Sequence, residues 1–255
     1  MHIEIGAEKL FSIYGFSITN SLLMSWVAVL FIVLIVQLVA RKMSLVPAGL
    51  QNGVEWIVES VLDMMENTLH SHKKAVKYLP IVATFFIMIV VSNWFGILPG
   101  VGSIGFYETI HSVPASAEAT AGKEVLVPFL RSPASDLNFT LALAVLSILI
   151  INVAGVAAIG LKHHVSKFIN FSNPIKFFVG ILELIGEVAK MVSLSFRLFG
   201  NVFAGEVLLI IVGFLAPFIA PIPFLMLEIF VGAIQALVFA TLTLVFLSIA
   251  VEEHT

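Results

Sequence analysis

Five apolar runs, each long enough to cross a lipid bilayer, constrain this chain more than anything else in it. A hydrocarbon core of about 30 Å takes about 20 residues of helix to cross. Leu22–Ala40 meets that length and is stopped by Arg41 and Lys42, Leu79–Leu98 is ended by Pro99 and Gly100, and Leu137–Leu161 is entered at Asp136 and stopped by Lys162. Two longer stretches, Ile175–Ala216 and Ile222–Val251, lie on either side of a turn containing Pro217 and Pro221, with Pro223 just beyond it. Of the 255 residues, 60% are hydrophobic and 11% charged, well below the roughly 25% charged residues of soluble domains. The chain has too little polar surface to dissolve. Residues 1–255 read as one integral membrane domain, an all-α fold with five membrane-embedded helices.

One segment breaks the pattern. Between Gly53 and His70, the residues Val54, Ile57, Val58, Val61, Leu62, Met65 and Leu69 recur at helical spacing, with Glu55, Glu59, Asp63 and Glu66 on the other side. This amphipathic helix is expected to lie in the membrane interface; a short helix under a loop is the alternative. Lysine and arginine placement sets the orientation. Arg41, Lys42, Lys73, Lys74, Lys77, Lys162, Lys167 and Lys176 fall on one face of a five-span layout. The opposite face receives Lys9, Lys123 and Arg131, beside Glu4, Glu8, Glu108, Glu118, Glu124 and Asp136. The amino terminus is expected outside and the carboxyl terminus, Glu252-Glu253-His254-Thr255, inside. Met1–Phe16 lacks the basic start of a secretory signal, so Leu22–Ala40 reads as a retained helix. The last two runs would reach about 60 Å and about 45 Å as helices. They are expected to form a tilted or bent hairpin, with Gly200, Gly205 and Gly213 as places to bend.

Ionisable side chains deep in a bilayer are costly, so those that remain are functional candidates. The first three spans hold no acid or base in their interiors, whereas the final hairpin holds Glu183, Glu187, Lys190, Arg197, Glu206 and Glu228. At about 100° per residue, Glu183, Lys190 and Arg197 share one stripe, which Asn201 continues. Glu228 and Gln235 share a face of the other helix. With the turn centred near Ala216–Pro217, Arg197 and Gln235 sit at one depth and Glu206 pairs with Glu228 nearer the outer surface. Glu206 lies about 180° from Arg197 on an ideal helix, so only a bend near Gly200 or Gly205 brings it onto the stripe. Arginine holds its charge at any accessible pH, and Glu183 is about 21 Å away along the axis. Arg197 is therefore not expected to be a packing ion pair. Asn201 and Gln235 have interhelical hydrogen bonding as their bland alternative, and Glu187 and Lys190 have snorkelling to the inner face.

Several function classes drop out. The chain has no cysteine, which removes disulfides, thiolate metal sites and thiol nucleophiles. A net charge of -3 without a long basic run argues against nucleic acid. Gly100-Val-Gly-Ser-Ile-Gly105 fits the dinucleotide pattern but follows a membrane helix rather than a strand. His70 with His72, and His163 with His164, sit at helix ends among lysines and read as solvated, so no metal site is expected. The sequons at Asn138 and Asn170 border membrane spans. Neither a phosphate-cradling Gly-Lys-Ser/Thr loop nor a hydrolytic triad occurs, and no cofactor is implied.

The run Ser193-Leu-Ser-Phe-Arg197-Leu-Phe-Gly-Asn201-Val-Phe-Ala-Gly-Glu206 closely resembles the signature of subunit a of the F-type ATP synthase membrane sector. So does Glu228-Ile-Phe-Val-Gly-Ala-Ile-Gln235-Ala, followed by Glu252-Glu-His254. Ser135-Asp136-Leu-Asn138-Phe-Thr140 resembles the family's start of the third span. The likeness covers most of the chain from about Leu79 onward; the first third resembles the family mainly in layout.

The resemblance implies a stator beside a rotating ring of small hairpin subunits (the c-ring), each bearing one membrane carboxylate. Two half-channels would reach that ring without meeting, with Arg197 between them. Asn201, Glu206, Glu228 and Gln235 match outer half-channel positions, with Asp136 near the mouth; Glu183 and Lys190 belong to the inner side. The family often carries histidine at one of the positions held here by Glu206 and Glu228. A proton path is expected, with Na⁺ as the alternative ion. The implied partners are the c-ring, the peripheral-stalk subunit b, other synthase subunits and the lipid bilayer, in a bacterial inner membrane. The competing functions are a proton-coupled secondary transporter, though five helices show no internal repeat, and a purely structural membrane subunit.

Overall fold

The computed structural model describes residues 6–13, 15–102, 104–110, 123–161, 166, 168, 174–217 and 219–251. Glu4, Glu118, Lys162, His163, His164, Lys167, the sequon at Asn170 and the terminal Glu252-Glu253-His254 lie outside these residues.

The long helices start where the sequence supplies a cap. Helix α1 (Asn20–Arg41) is capped by Thr19, whose side chain accepts from the Leu22 amide, and it carries Arg41 in its last turn. The segment Leu50–Leu69 is α2 and His72–Gly96 is α3. Ser71 caps α3 through the Lys74 amide. Helix α4 (Leu137–Ile159) follows Asp136, whose carboxylate accepts from the Asn138 amide. Each cap satisfies an amide that would otherwise face the membrane boundary unpaired. Pro174–Leu215 is one uninterrupted 42-residue helix (α5), and Pro221–Val251 forms α6. All five expected spans are present as helices. The chain is an integral membrane protein.

Helices α3 and α4 occupy the middle of the bundle, α3 against α6 and α4 against α5, while α1 lies at the side of α3. Only 11% of the most apolar stretch of α5 is buried, against 39% for α3 and for α4. Lipid is as apolar as a leucine core, so close packing and hydrogen bonds hold such helices together. Ser147 and Thr243 link α4 to α6 at 3.0 Å, and Thr140 and Ser195 link α4 to α5 at 3.1 Å.

Helix α2 closes one end. Its apolar stripe of Val61, Met65 and Leu69 is buried against Ala75, Tyr78 and Val82 of α3 and Ala240, Leu244 and Leu247 of α6. Trp56 and Leu50 remain exposed. The amphipathic helix thus docks on the bundle with one half of its length rather than only lying in lipid.

The opposite end carries two antiparallel hairpins that the apolar pattern did not foretell. Lys9–Ile13 (β1) pairs with Phe16–Thr19 (β2), and Gly105–Ile110 (β3) pairs with Lys123–Pro128 (β4). Fully buried Asn20 joins them, its Nδ2 donating to Glu8 Oε2 and to the Pro128 carbonyl, both at 3.3 Å. A 3₁₀ turn, Pro133–Ser135, leads into α4.

Candidate functional site

Arg197 sits on the outward face of α5. Leu194, Ser195, Leu198 and Val202 form that helix's buried side, and the heptad geometry leaves Arg197 pointing away from them. The residue is exposed, and its Nη2 donates to Ser193 Oγ at 3.4 Å. Among the described residues no carboxylate lies within ion-pairing reach of it. A permanent cation with only a serine hydroxyl beside it, on the flank of a membrane helix, is an expensive arrangement.

Nine residues further along, Glu206 points to the other side, as the helical repeat requires. It lines a cavity of about 470 Å³ with Glu228, Asn93, Gly96 and Ser132 at the hairpin end of the bundle. No bend at Gly205 is needed for this, because the helix runs through without a break. Gly205 serves close approach instead: a Cβ there would run into the Glu228 carboxylate. The absence of a side chain lets Glu228 lie against the backbone of α5.

A second, much smaller space of about 10 Å³ lies between Asn93, Asn201, Glu228 and Gln235. That is about the room one water molecule occupies. Asn93 and Glu228 line both spaces and so stand between Glu206 and Ser132 on one side and Asn201 and Gln235 on the other. Asn93 is 3% exposed; its Nδ2 donates to the Gly232 carbonyl at 3.0 Å, and its Oδ1 is buried with no hydrogen-bond partner among the described residues. The neighbouring Trp94 donates its indole N–H to the Ile229 carbonyl at 3.1 Å.

Asn93 and Arg131 are the residues that sequence reasoning passed over. Asn93 sits inside an apolar run, where an uncharged amide does not stand out. Arg131 counted as one more loop cation, yet it is 7% exposed and its Nε lies 3.3 Å from Glu206 Oε1. Asp136 is also buried, but it is spent on the α4 cap and on accepting from Ser21 Oγ at 2.6 Å. It is absent from the lining of either space.

Towards the α2 end, Lys190 Nζ lies 2.7 Å from Glu187 Oε1 and 5.0 Å from the Phe246 ring centre. Asn152 of α4 donates to Glu187 at 3.5 Å. Glu187 and Lys190 are thus engaged in a contact that joins three helices. Glu183 is exposed. The Gly100–Gly105 pattern leads from α3 into β3, not from a strand into a helix. Among the described residues no cluster of His, Asp and Glu is placed to hold a metal.

The family model described as ATP synthase A chain matches residues 22–248. The chain is 37% identical to "ATP synthase subunit a" of Campylobacter concisus (strain 13826), over 88% of this chain and 87% of that one. It is 35% identical to "ATP synthase subunit a" of Campylobacter jejuni (strain RM1221), over 87% of this chain and 86% of the relative.

Proposed function

This chain belongs to the ATP synthase A chain family, and from that premise we propose that it is the stator ion path of a rotary synthase, with Arg197 dividing two offset half-channels. The observation that carries this reading is the exposed, carboxylate-free guanidinium midway along α5. A cation placed so has its counter-charge on another molecule. The carboxylates of a rotating c-ring supply one.

The mechanism follows from charge. A ring carboxylate facing lipid travels neutral, because an ionised one is prohibitively costly there. Beside Arg197 its ionised form is favoured by the opposite charge. It gives up a proton on one side of the guanidinium, passes it bare, and takes another on the far side. The same fixed charge repels a proton running straight through.

The cavity at the hairpin end, with Glu206 and Glu228, is the outer half-path; Asn93, Asn201 and Gln235 continue it towards the ring. The inner half-path runs along α5 past Lys190 and Glu183. Lysine and arginine support this sidedness: Arg41, Lys42, Lys73, Lys74, Lys77 and Lys176 gather at the α2 end, which we place in the bacterial cytoplasm. Subunit b and the remaining synthase subunits complete the complex, and H⁺ is the ion.

Replacing Arg197 by alanine is expected to abolish ATP synthesis driven by a proton gradient while the subunit stays assembled. Synthesis is measured on membrane vesicles and assembly by co-purification. Near-normal synthesis in that variant would overturn the role.

A further inference from the structure

We propose that Arg131 is a positioning residue for the outer half-path: it fixes the Glu206 carboxylate at the cavity wall and fastens the amino-terminal segment to the same point. The inference rests on the ion-path reading of Glu206 given above. Three observations carry it.

The first is the contact itself. Arg131 Nε lies 3.3 Å from one Glu206 oxygen, and both Nε and Nη2 donate to the other at 3.4 Å. Two donors converging on one oxygen, with the other oxygen within ion-pairing distance, fix where the carboxylate sits. The second is burial. The Arg131 side chain is 8% exposed and that of Glu206 29%, so the guanidinium is withdrawn from solvent while the carboxylate keeps a face on the cavity. The third is the way the loop is seated. A Cβ on Gly96 of α3 would lie 2.5 Å from Ser132 Cβ, so the loop rests directly on the helix backbone. That close approach seats Ser132 in the cavity lining and brings its neighbour Arg131 up to the Glu206 carboxylate. The guanidinium also donates from Nη1 to the Gly6 carbonyl at 2.8 Å, which brings the start of the chain to this point. Of the two carboxylates lining the cavity, Glu206 is thereby held and Glu228 is left to the face of Gly205.

The test uses the assembled synthase in inverted membrane vesicles, with ATP-driven proton pumping read by quenching of a gradient-sensitive dye. Arg131→Gln is expected to slow pumping about tenfold, the coupling typical of contacting groups, and Arg131→Lys less. Adding Arg131→Gln to Glu206→Gln is expected to cost much less than Arg131→Gln does alone, because a neutral side chain gives the guanidinium no charge to hold and leaves it only its hold on the amino-terminal segment. Losses that multiply in the double variant would overturn the inference and leave the ion path standing. If Arg131→Gln prevents the subunit from accumulating in the membrane, adding Glu206→Gln is expected to restore it by removing the uncompensated charge. Continued absence would overturn the inference. Pumping at the wild-type rate in Glu206→Gln alone would instead overturn the ion-path reading on which it rests.

Discussion

On the proposed ion path, a carboxylate that hands on protons has to be held in place without being locked into an ion pair, and Glu228 would meet this condition through a missing side chain. Its oxygens lie against Gly205 where no Cβ intervenes. Gly205→Ala is expected to swing the carboxylate away from the cavity and to slow proton pumping by at least about tenfold, since displacements near 1 Å cost up to about a hundredfold. Shortening the acid with Glu228→Asp is expected to recover part of that loss. Pumping assays on the single and double variants check both, and a Gly205→Ala variant that pumps normally would remove the close approach from the mechanism. The hairpin charges were legible in the sequence because a membrane charge is rare enough to stand out. Asn93 and Arg131 were not. An uncharged amide in an apolar run costs little to place, and a loop arginine carries no mark of the buried contact that folding gives it.

Helix α3 contributes to the site through two neighbouring donors. Asn93 and Trp94 bond the carbonyls of Gly232 and Ile229, one on each side of the turn that follows Glu228. Interhelical bonds in membranes average about 0.6 kcal/mol, so losing either alone leaves the bundle assembled. Asn93→Leu also removes the amide that lines both spaces. It is expected to slow pumping several-fold more than Trp94→Phe, with subunit levels unchanged in both; equal rates would reduce Asn93 to a fastener. The spans themselves were readable to within two residues at every end but one, α3 starting at His72 rather than Leu79, because length and hydropathy suffice where every backbone group must bond within its own segment. The hairpins of β1–β2 and β3–β4 were not, since their short strands carry no sustained alternation of apolar and polar residues. The docking of α2 was half legible: its stripe announced an apolar partner, but whether lipid or protein depended on where α3 and α6 brought Tyr78 and Leu247.

At the scale of the whole molecule, the bundle has a packed side and a bare one. Exposed Phe178, Leu182, Ile185, Val192 and Phe196 continue down α5, while Leu194 and Leu198 are turned inward. Cysteines at Val192 or Phe196 are therefore expected to cross-link to a ring subunit in the assembled synthase, and cysteines at Leu194 or Leu198 are not. Cross-linking from the inward positions alone would put the rotor on the wrong side. The single 42-residue rod also has a mechanical meaning. The rotating neighbour of the proposed function would push sideways on α5, which has no break where it could buckle. Directly behind the turn that bears Arg197, Ser195 is bonded to Thr140 of α4, so a shove at the guanidinium meets an abutment rather than empty space. The stator thus resists recoil through the same stretch of chain that presents its charge.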